Sequence, residues 1–201
     1  MKTKKIFATL AISLSLAGCQ SMFGNDTSIA NLSLAERAEE ETSATIILSA
    51  GVRQVCFSSY PVTIDLVNTD QRKTVEMFTA NNEFIKPELD ENHGFLHAAN
   101  IAPGNYLMTM DVWARRVTSR PVARFSIEKG EVLYLGEFFL DSSCAGFGSY
   151  VDVLIRNRSS RDLPKAQELN PGINMDEVEV RVLQFESESL EEQAESTDGN
   201  L

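Results

Sequence analysis

Three cysteines and two histidines in 201 residues are too few for a zinc cluster or a thiol catalytic centre. Basic residues are also scarce: 18 Lys and Arg stand against 29 Asp and Glu, a formal charge of −11. A nucleic-acid binder carries a basic stripe, so that class is excluded. No Gly-rich loop follows a strand pattern, so no nucleotide cradle is implied. No G-x-S-x-G elbow occurs; Gly146-Phe147-Gly148-Ser149 lacks the last glycine and leads into a strand pattern rather than a helix. No apolar run reaches the ~20 residues that a membrane-crossing helix needs. What is present, 43% hydrophobic and 23% charged residues, is the composition of a folded globular chain.

The start of the chain carries the clearest signal. Lys2, Lys4 and Lys5 form a positive segment, and residues 6–16 (IFATLAISLSL) form an apolar run of eleven. This is the length and flank of a signal-peptide core. Leu16-Ala17-Gly18-Cys19 follows and resembles the lipobox of bacterial lipoproteins. The resemblance implies that residues 1–18 are a lipoprotein signal peptide. Cys19 is then the lipidated first residue of the mature chain. Two or three acyl chains give stable attachment, so the implied partner is a membrane, reached without spanning it. Gln20 rather than Asp follows the cysteine. By the sorting rule of enteric bacteria, this implies the outer membrane, with the domain facing the periplasm. Loss of three lysines leaves 15 basic residues against 29 acidic ones, a formal charge of −14. Such a chain does not adhere to anionic lipid or nucleic acid by charge.

Composition divides the rest into three parts. Residues 19–42 read as a flexible tether, small and polar around Gly24-Asn25-Asp26, with a short helix possible after Ser33. Residues 186–201 hold six acids and no base, with Leu190 and Leu201 as the large apolar residues. They bury too little to offset their ordering entropy and read as a disordered acidic tail.

Residues 43–185 are the expected domain. Period-two alternation or β-branched and aromatic enrichment marks strands at 45–48, 62–66, 73–79, 94–98, 105–114, 122–127, 131–140, 150–156 and 178–183. The turn Glu128-Lys129-Gly130 reads as the tip of a hairpin. One late helix is expected, with Asp162 as its cap, Pro164 in its first turn and Asn170-Pro171-Gly172 at its end. The pattern predicts a mainly β protein, a single antiparallel sandwich with one short helix.

Two segments name a fold by resemblance. Ile101-Ala102-Pro103-Gly104-Asn105-Tyr106-Leu107 resembles the L-x-P-G-x-Y-x-L element of prealbumin-like and carboxypeptidase-regulatory-like β-sandwiches. There Pro-Gly makes a tight turn and Tyr opens the next strand, facing the core. Gly130, Tyr134 and Gly136 fall on a G-x-x-x-Y-x-G strand similar to one in many bacterial lipoproteins of this sandwich type. These motifs are structural and imply a fold rather than an activity.

Candidate site residues are few. His93 and His97 sit four apart on the approach to a strand. There the spacing separates them by ~13 Å, too far to share one ion, so no metal is assigned and both are expected to be exposed. Carboxylate pairs such as Asp90 and Glu91 carry no weight among 29 acids. Trp113 with Arg115, Arg116 and Arg120, and Arg124 nearby, forms the one basic cluster expected in an acidic domain, the place for an anionic ligand or partner. Cys56 and Cys144 remain once Cys19 is acylated, and an even pair in an oxidising compartment is expected to form a disulfide. The expected function is a non-enzymatic envelope module, binding or structural, with no catalytic residue and no cofactor. Its expected partner is an envelope protein or cell-wall glycan. The alternatives are an envelope hydrolase with a site not legible here, or a periplasmic ligand carrier with an apolar cavity.

Overall fold

The computed structural model describes residues 28–29, 43–54, 62–81, 87–89, 94–112, 121–145 and 148–186. Among the described residues, nine strands form in chain order: β1 (Ala44–Gln54), β2 (Val62–Asn68), β3 (Lys73–Asn81), β4 (Phe95–Ile101), β5 (Gly104–Val112), β6 (Val122–Ile127), β7 (Val132–Ala145), β8 (Gly148–Arg156) and β9 (Val178–Val180). One helix, α1 (Ser159–Leu169), and a 3-10 turn (Met175–Glu177) lie between β8 and β9. Each expected strand position holds a strand; β6 keeps its expected ends and most others shift.

The strands make two sheets. Sheet A runs β4-β1-β7-β8, with β9 also on β7, and sheet B runs β3-β2-β5-β6. Most neighbours are antiparallel, but β1 and β9 each pair parallel with β7. Each sheet has an apolar inner face, and the two bury those faces together. Alternation sets which residues go in. Val62, Ile64 and Leu66 of β2, Tyr106, Met108 and Met110 of β5, and Ala123, Phe125 and Ile127 of β6 face Ile46, Leu48 and Ala50 of β1 and Leu133, Leu135, Phe138 and Leu140 of β7. The outward residues of sheet B, among them Thr63, Asp65, Val67, Leu107 and Thr109, stay half-buried, and Met77 is exposed.

Pro103 and Gly104 lie where the chain passes from β4 to β5. Gly104 has a φ of +154°, and Tyr106 two residues on is buried in the core. Its hydroxyl donates back to the Ala102 carbonyl at 2.6 Å, and its ring stacks on Phe125 at 5.5 Å.

Sheet A is covered on its outer side as well. Ile47, Leu96, Ala98, Val132 and Tyr134 point outward into a second apolar cluster under α1, with Ala166, Ile173 and Ile29. Ile29 is fully buried there, within the segment read as a tether.

Three local expectations are corrected. The turn at Glu128-Lys129-Gly130 is not a hairpin, because β6 pairs with β5 in sheet B while β7 belongs to sheet A. A tight turn between two strands fits a crossing between sheets as well as a hairpin. Here the Gly130 N–H is held by the Ser43 carbonyl, which ties the crossing to β1. Asp162 does not cap α1. The helix starts four residues earlier, after Arg158, and the Asn157 side chain accepts from the Ser159 N–H and hydroxyl. Pro164 therefore lies in the interior of the helix rather than its first turn. The helix does end at Asn170, whose N–H reaches the Ala166 carbonyl.

Candidate functional site

Most residues singled out from the sequence lie outside the described residues: Cys19, Cys56, His93, Asp90, Glu91, Trp113, Arg115, Arg116 and Arg120. Cys144 lies on β7, its backbone opposite Ser149 of β8. Arg124 is exposed on β6 and pairs with Glu186 at 3.0 Å. His97 is not the exposed histidine expected. It is buried on β4, its Nε2 lies 2.7 Å from the Thr79 carbonyl of β3, and the Phe78 and Phe95 rings flank it. It ties the edge of sheet A to the edge of sheet B, because an inward residue on one edge strand meets the open backbone of the other.

The polar centre of the described domain is elsewhere, on the outer face of sheet A under the start of α1. A bulge builds it. Along β7, Leu133 and Leu135 point into the core, and strict alternation would send Glu137 after them. Gly136, at a φ of +108°, inserts an extra residue, and the register to β1 shifts between Ile47↔Tyr134 and Ser49↔Glu137. A bulge of this kind re-aims the side chains that follow it. Phe138 takes the core position, and Glu137 joins Tyr134 on the outer face.

Glu137 is 1% exposed, and three arginines meet its carboxylate. Arg156 of β8 is at 2.5 Å, Arg161 of α1 at 2.9 Å and Arg158 at 3.5 Å. Arg156 also lies over the Phe139 ring at 3.6 Å, a cation–π contact. Asp162, fully buried, accepts from the Ser49 hydroxyl and the Tyr134 hydroxyl, each at 2.5 Å, and from Arg161 Nε at 2.7 Å. One guanidinium, that of Arg161, thus bridges both carboxylates.

The electrostatics follow from this packing. Burial pushes the Tyr134 phenol far above its ordinary range, and the Asp162 charge and hydrogen bond push it further. Burial pulls Arg161 down, but its hydrogen bonds and charge pairing with Asp162 and Glu137 outweigh that and leave it raised. Both groups hold one protonation state through the ordinary pH range. Asp162 accepts from three side chains and Glu137 from two, with a third arginine paired to it by charge, so the arrangement fixes α1 to β1, β7 and β8. Breaking such a pair from one side costs about 3–5 kcal/mol. Among the described residues, no group of three or more His, Cys, Asp or Glu is placed to hold a metal ion. Among them too, no helix is long and apolar enough to cross a membrane.

Sequence reasoning passed over this cluster. It was visible in two places: a glycine inside a strand, which marks a bulge, and Arg156, Arg158 and Arg161 crowded ahead of Asp162. The cluster around Arg115 is therefore not the one basic group of an acidic domain, which corrects that expectation.

No family model matches the chain. No curated protein matches it either. Among the solved structures similar to parts of it are two that follow. One is a candidate cell adhesion protein from Parabacteroides distasonis ATCC 8503, at 10% identity and a TM-score of 0.32 over 56% of this chain and 38% of that one. The other is a candidate cell adhesion protein from Bacteroides fragilis NCTC 9343, at 4% identity and a TM-score of 0.27 over 58% of this chain and 46% of that one. The chain thus spans less than half of either neighbour, and at these scores neither likeness bears on function.

Proposed function

We propose that this chain is a non-enzymatic lipoprotein of the cell envelope. Acyl chains on Cys19 hold it at the outer membrane, and a prealbumin-like sandwich faces the periplasm as a binding or structural module. Its partner is an envelope protein or cell-wall glycan. The observation that carries the reading is the run from Lys2 through the apolar core to Leu16-Ala17-Gly18-Cys19. The fold is compatible with it. Tyr106, two residues past Pro103-Gly104, is buried in the core, and the buried charges are engaged in holding α1 on the sheet. Cys19→Ala is expected to abolish acyl labelling and detergent-phase partitioning of protein expressed in a bacterial host. A variant that still labels and partitions would sink the reading.

The same compartment bears on Cys56 and Cys144, which we propose are joined. The parallel register of β1 and β7 ends at Gln54↔Ser142. Each cysteine stands two residues further along its own chain. Paired parallel strands lie ~4.8 Å apart, within the reach of a disulfide. The bridge closes a loop of about 89 residues, worth ~4 kcal/mol in the chain-entropy model. Thiol labelling of unreduced, denatured protein is expected to find neither cysteine reactive. Two reactive thiols per chain would refute the bridge.

A further inference from the structure

We infer that β8 is a self-pairing edge. A second copy of this chain adds its own β8 antiparallel there, with Asp152 of each copy against Arg156 of the other and the two Leu154 side chains meeting on the axis. The inference does not depend on the acylation of Cys19.

An open sheet edge offers a row of unpaired N–H and C=O groups, and folded proteins usually block it. Three edge strands of this sandwich are engaged. Ser28 bridges to His97 on β4, and the Thr79 carbonyl of β3 lies 2.7 Å from His97 Nε2. On β6 the Val122 carbonyl accepts from the Glu186 N–H. β8, nine residues long, ends sheet A beyond β7. Among the described residues, no backbone hydrogen bond reaches its free edge.

Charges on an edge strand normally keep other strands away. Those of β8 stand in an order that invites a copy. Val153 and Ile155 pack inward against the main core. Asp152, Leu154 and Arg156 therefore alternate onto the outer side of sheet A. A two-fold contact sets residue i on j and j on i. Centred on Leu154, it places Asp152 opposite Arg156 twice and leucine opposite leucine once. Directly opposite side chains have Cβ atoms about 5 Å apart, close enough for both kinds of contact. The other registers fare worse. A slip of one residue sets outward side chains against inward ones. A centre at Val153 or Ile155 sets a charge against Leu154. Centres at Asp152 or Arg156, and an in-register parallel pairing, set like charges together.

Each outward residue has something to gain. Leu154 is 46% exposed. Asp152 is exposed, and among the described residues nothing pairs with it. Its neighbour across β7 is Asp141, a like charge already engaged by Arg53. Like charges directly opposite are destabilising, so a cation from a second copy relieves this position. Arg156 holds Glu137 through Nε and Nη2, yet its side chain remains 28% exposed and open to a second carboxylate.

Net charge works the other way. At −11, two copies repel at long range. At ~0.15 M salt this repulsion is screened beyond ~8 Å, while the opposed pairs act at shorter range. One substitution separates the two effects. Asp152→Lys makes the chain less negative, which eases association by net charge. In the self-paired register it sets Lys against Arg twice, which blocks association.

Photocrosslinking tests the pairing on the intact chain at ~0.15 M salt, with two differently tagged forms mixed. An aliphatic diazirine amino acid replaces Leu154, or Met77, comparably exposed on β3. Product carrying both tags is expected from position 154 at several-fold the yield from position 77. Asp152→Lys in both forms should cut the yield at 154 to the level at 77 without lowering the melting temperature, since it removes the repulsion from Asp141. Sedimentation checks the same edge without the crosslinker: Leu154→Lys, whose two charges would meet on the axis, should stay monomeric where the unaltered chain dimerises. Equal yields from 154 and 77 would overturn the inference, as would a yield at 154 that holds or rises with Asp152→Lys. So would illumination of intact cells that joins position 154 to a different protein with no product bearing both tags.

Discussion

Asp162 is the residue on which most of the polar structure converges, and its partners make the domain's alkaline behaviour readable. Its carboxylate is fully buried and accepts from Ser49, Tyr134 and Arg161. Burial and this anion both oppose ionisation of Tyr134. In the unfolded chain the phenol titrates near pH 10. Above that pH the unfolded state loses a proton that the folded state keeps. The Tyr134 contribution to stability is therefore whole below about pH 10 and falls by up to ~1.4 kcal/mol per unit above it. Tyr134→Phe should cost about 1.5–3 kcal/mol at neutral pH, the worth of a hydrogen bond to a charged group. It should also flatten the alkaline decline. Urea midpoints between pH 8 and 11 check both, and parallel curves for the two proteins would contradict the assignment. The sequence shows Arg161 beside Asp162 but not the other two partners: Asp162 stood where a cap was expected, and Tyr134 and Ser49 lie 28 and 113 residues away.

Among the elements, β7 decides the most, because it pairs with β1, β8 and β9. Its glycine makes the division possible. Before Gly136 the strand runs beside β9, and after it beside β8. A Cβ at Gly136 would stand 2.9 Å from Ile155 Cγ2, 3.1 Å from the Arg156 carbonyl and 3.2 Å from Val182 Cγ1, at a φ of +108°. Gly130 also has a positive φ, +81°, but a Cβ there meets nothing within 4 Å. The pair separates backbone strain from crowding. Gly130→Ala should cost about 1–2 kcal/mol, the penalty of the left-handed region alone. Gly136→Ala should cost about 3 kcal/mol or more, since it adds overpacking against backbone and should displace Glu137. Chemical denaturation of the two variants checks the order, and equal losses would mean that crowding at the bulge is relieved by easy movement. Strand positions were readable because alternation is a local property: Val62, Ile64 and Leu66 announce their own face. The bulge interrupts that rule at Gly136. The order of strands was not readable, since nothing local to 128–130 says whether the next strand joins the same sheet.

For the whole molecule, the closing segment after β9 matters more than its modest regularity suggests. The Arg181 N–H donates to the Tyr134 carbonyl and the Leu183 N–H to the Leu135 carbonyl, so the chain follows β7 beyond the last formal strand residue. It then crosses to sheet B, where the Glu186 N–H meets the Val122 carbonyl of β6. On the way Leu183 is buried in the main core, and Phe185 packs edge-on against Phe138 at 6.1 Å. The segment thus straps the two sheets together along one side of the sandwich. Composition placed the end of the domain near residue 185, because the apolar residues stop there and the acids begin. The strap itself depends on pairing with β7 and β6, and no pattern within 181–186 encodes that. Truncation separates the two stretches. Ending the chain after Glu186 removes residues 187–201 and should leave the melting temperature within a degree or two, since such a polar run buries little. Ending it after Val180 removes the buried Leu183 and the half-buried Phe185 together with their backbone pairing to β7 and β6, about 5 kcal/mol. At 2–4 °C per kcal/mol, that is a fall of about 10–20 °C. Calorimetry on the two truncations checks the contrast. A large fall in the chain ending at Glu186 would place part of the acidic stretch on the domain. A small fall in the chain ending at Val180 would show that the sheets hold without their strap.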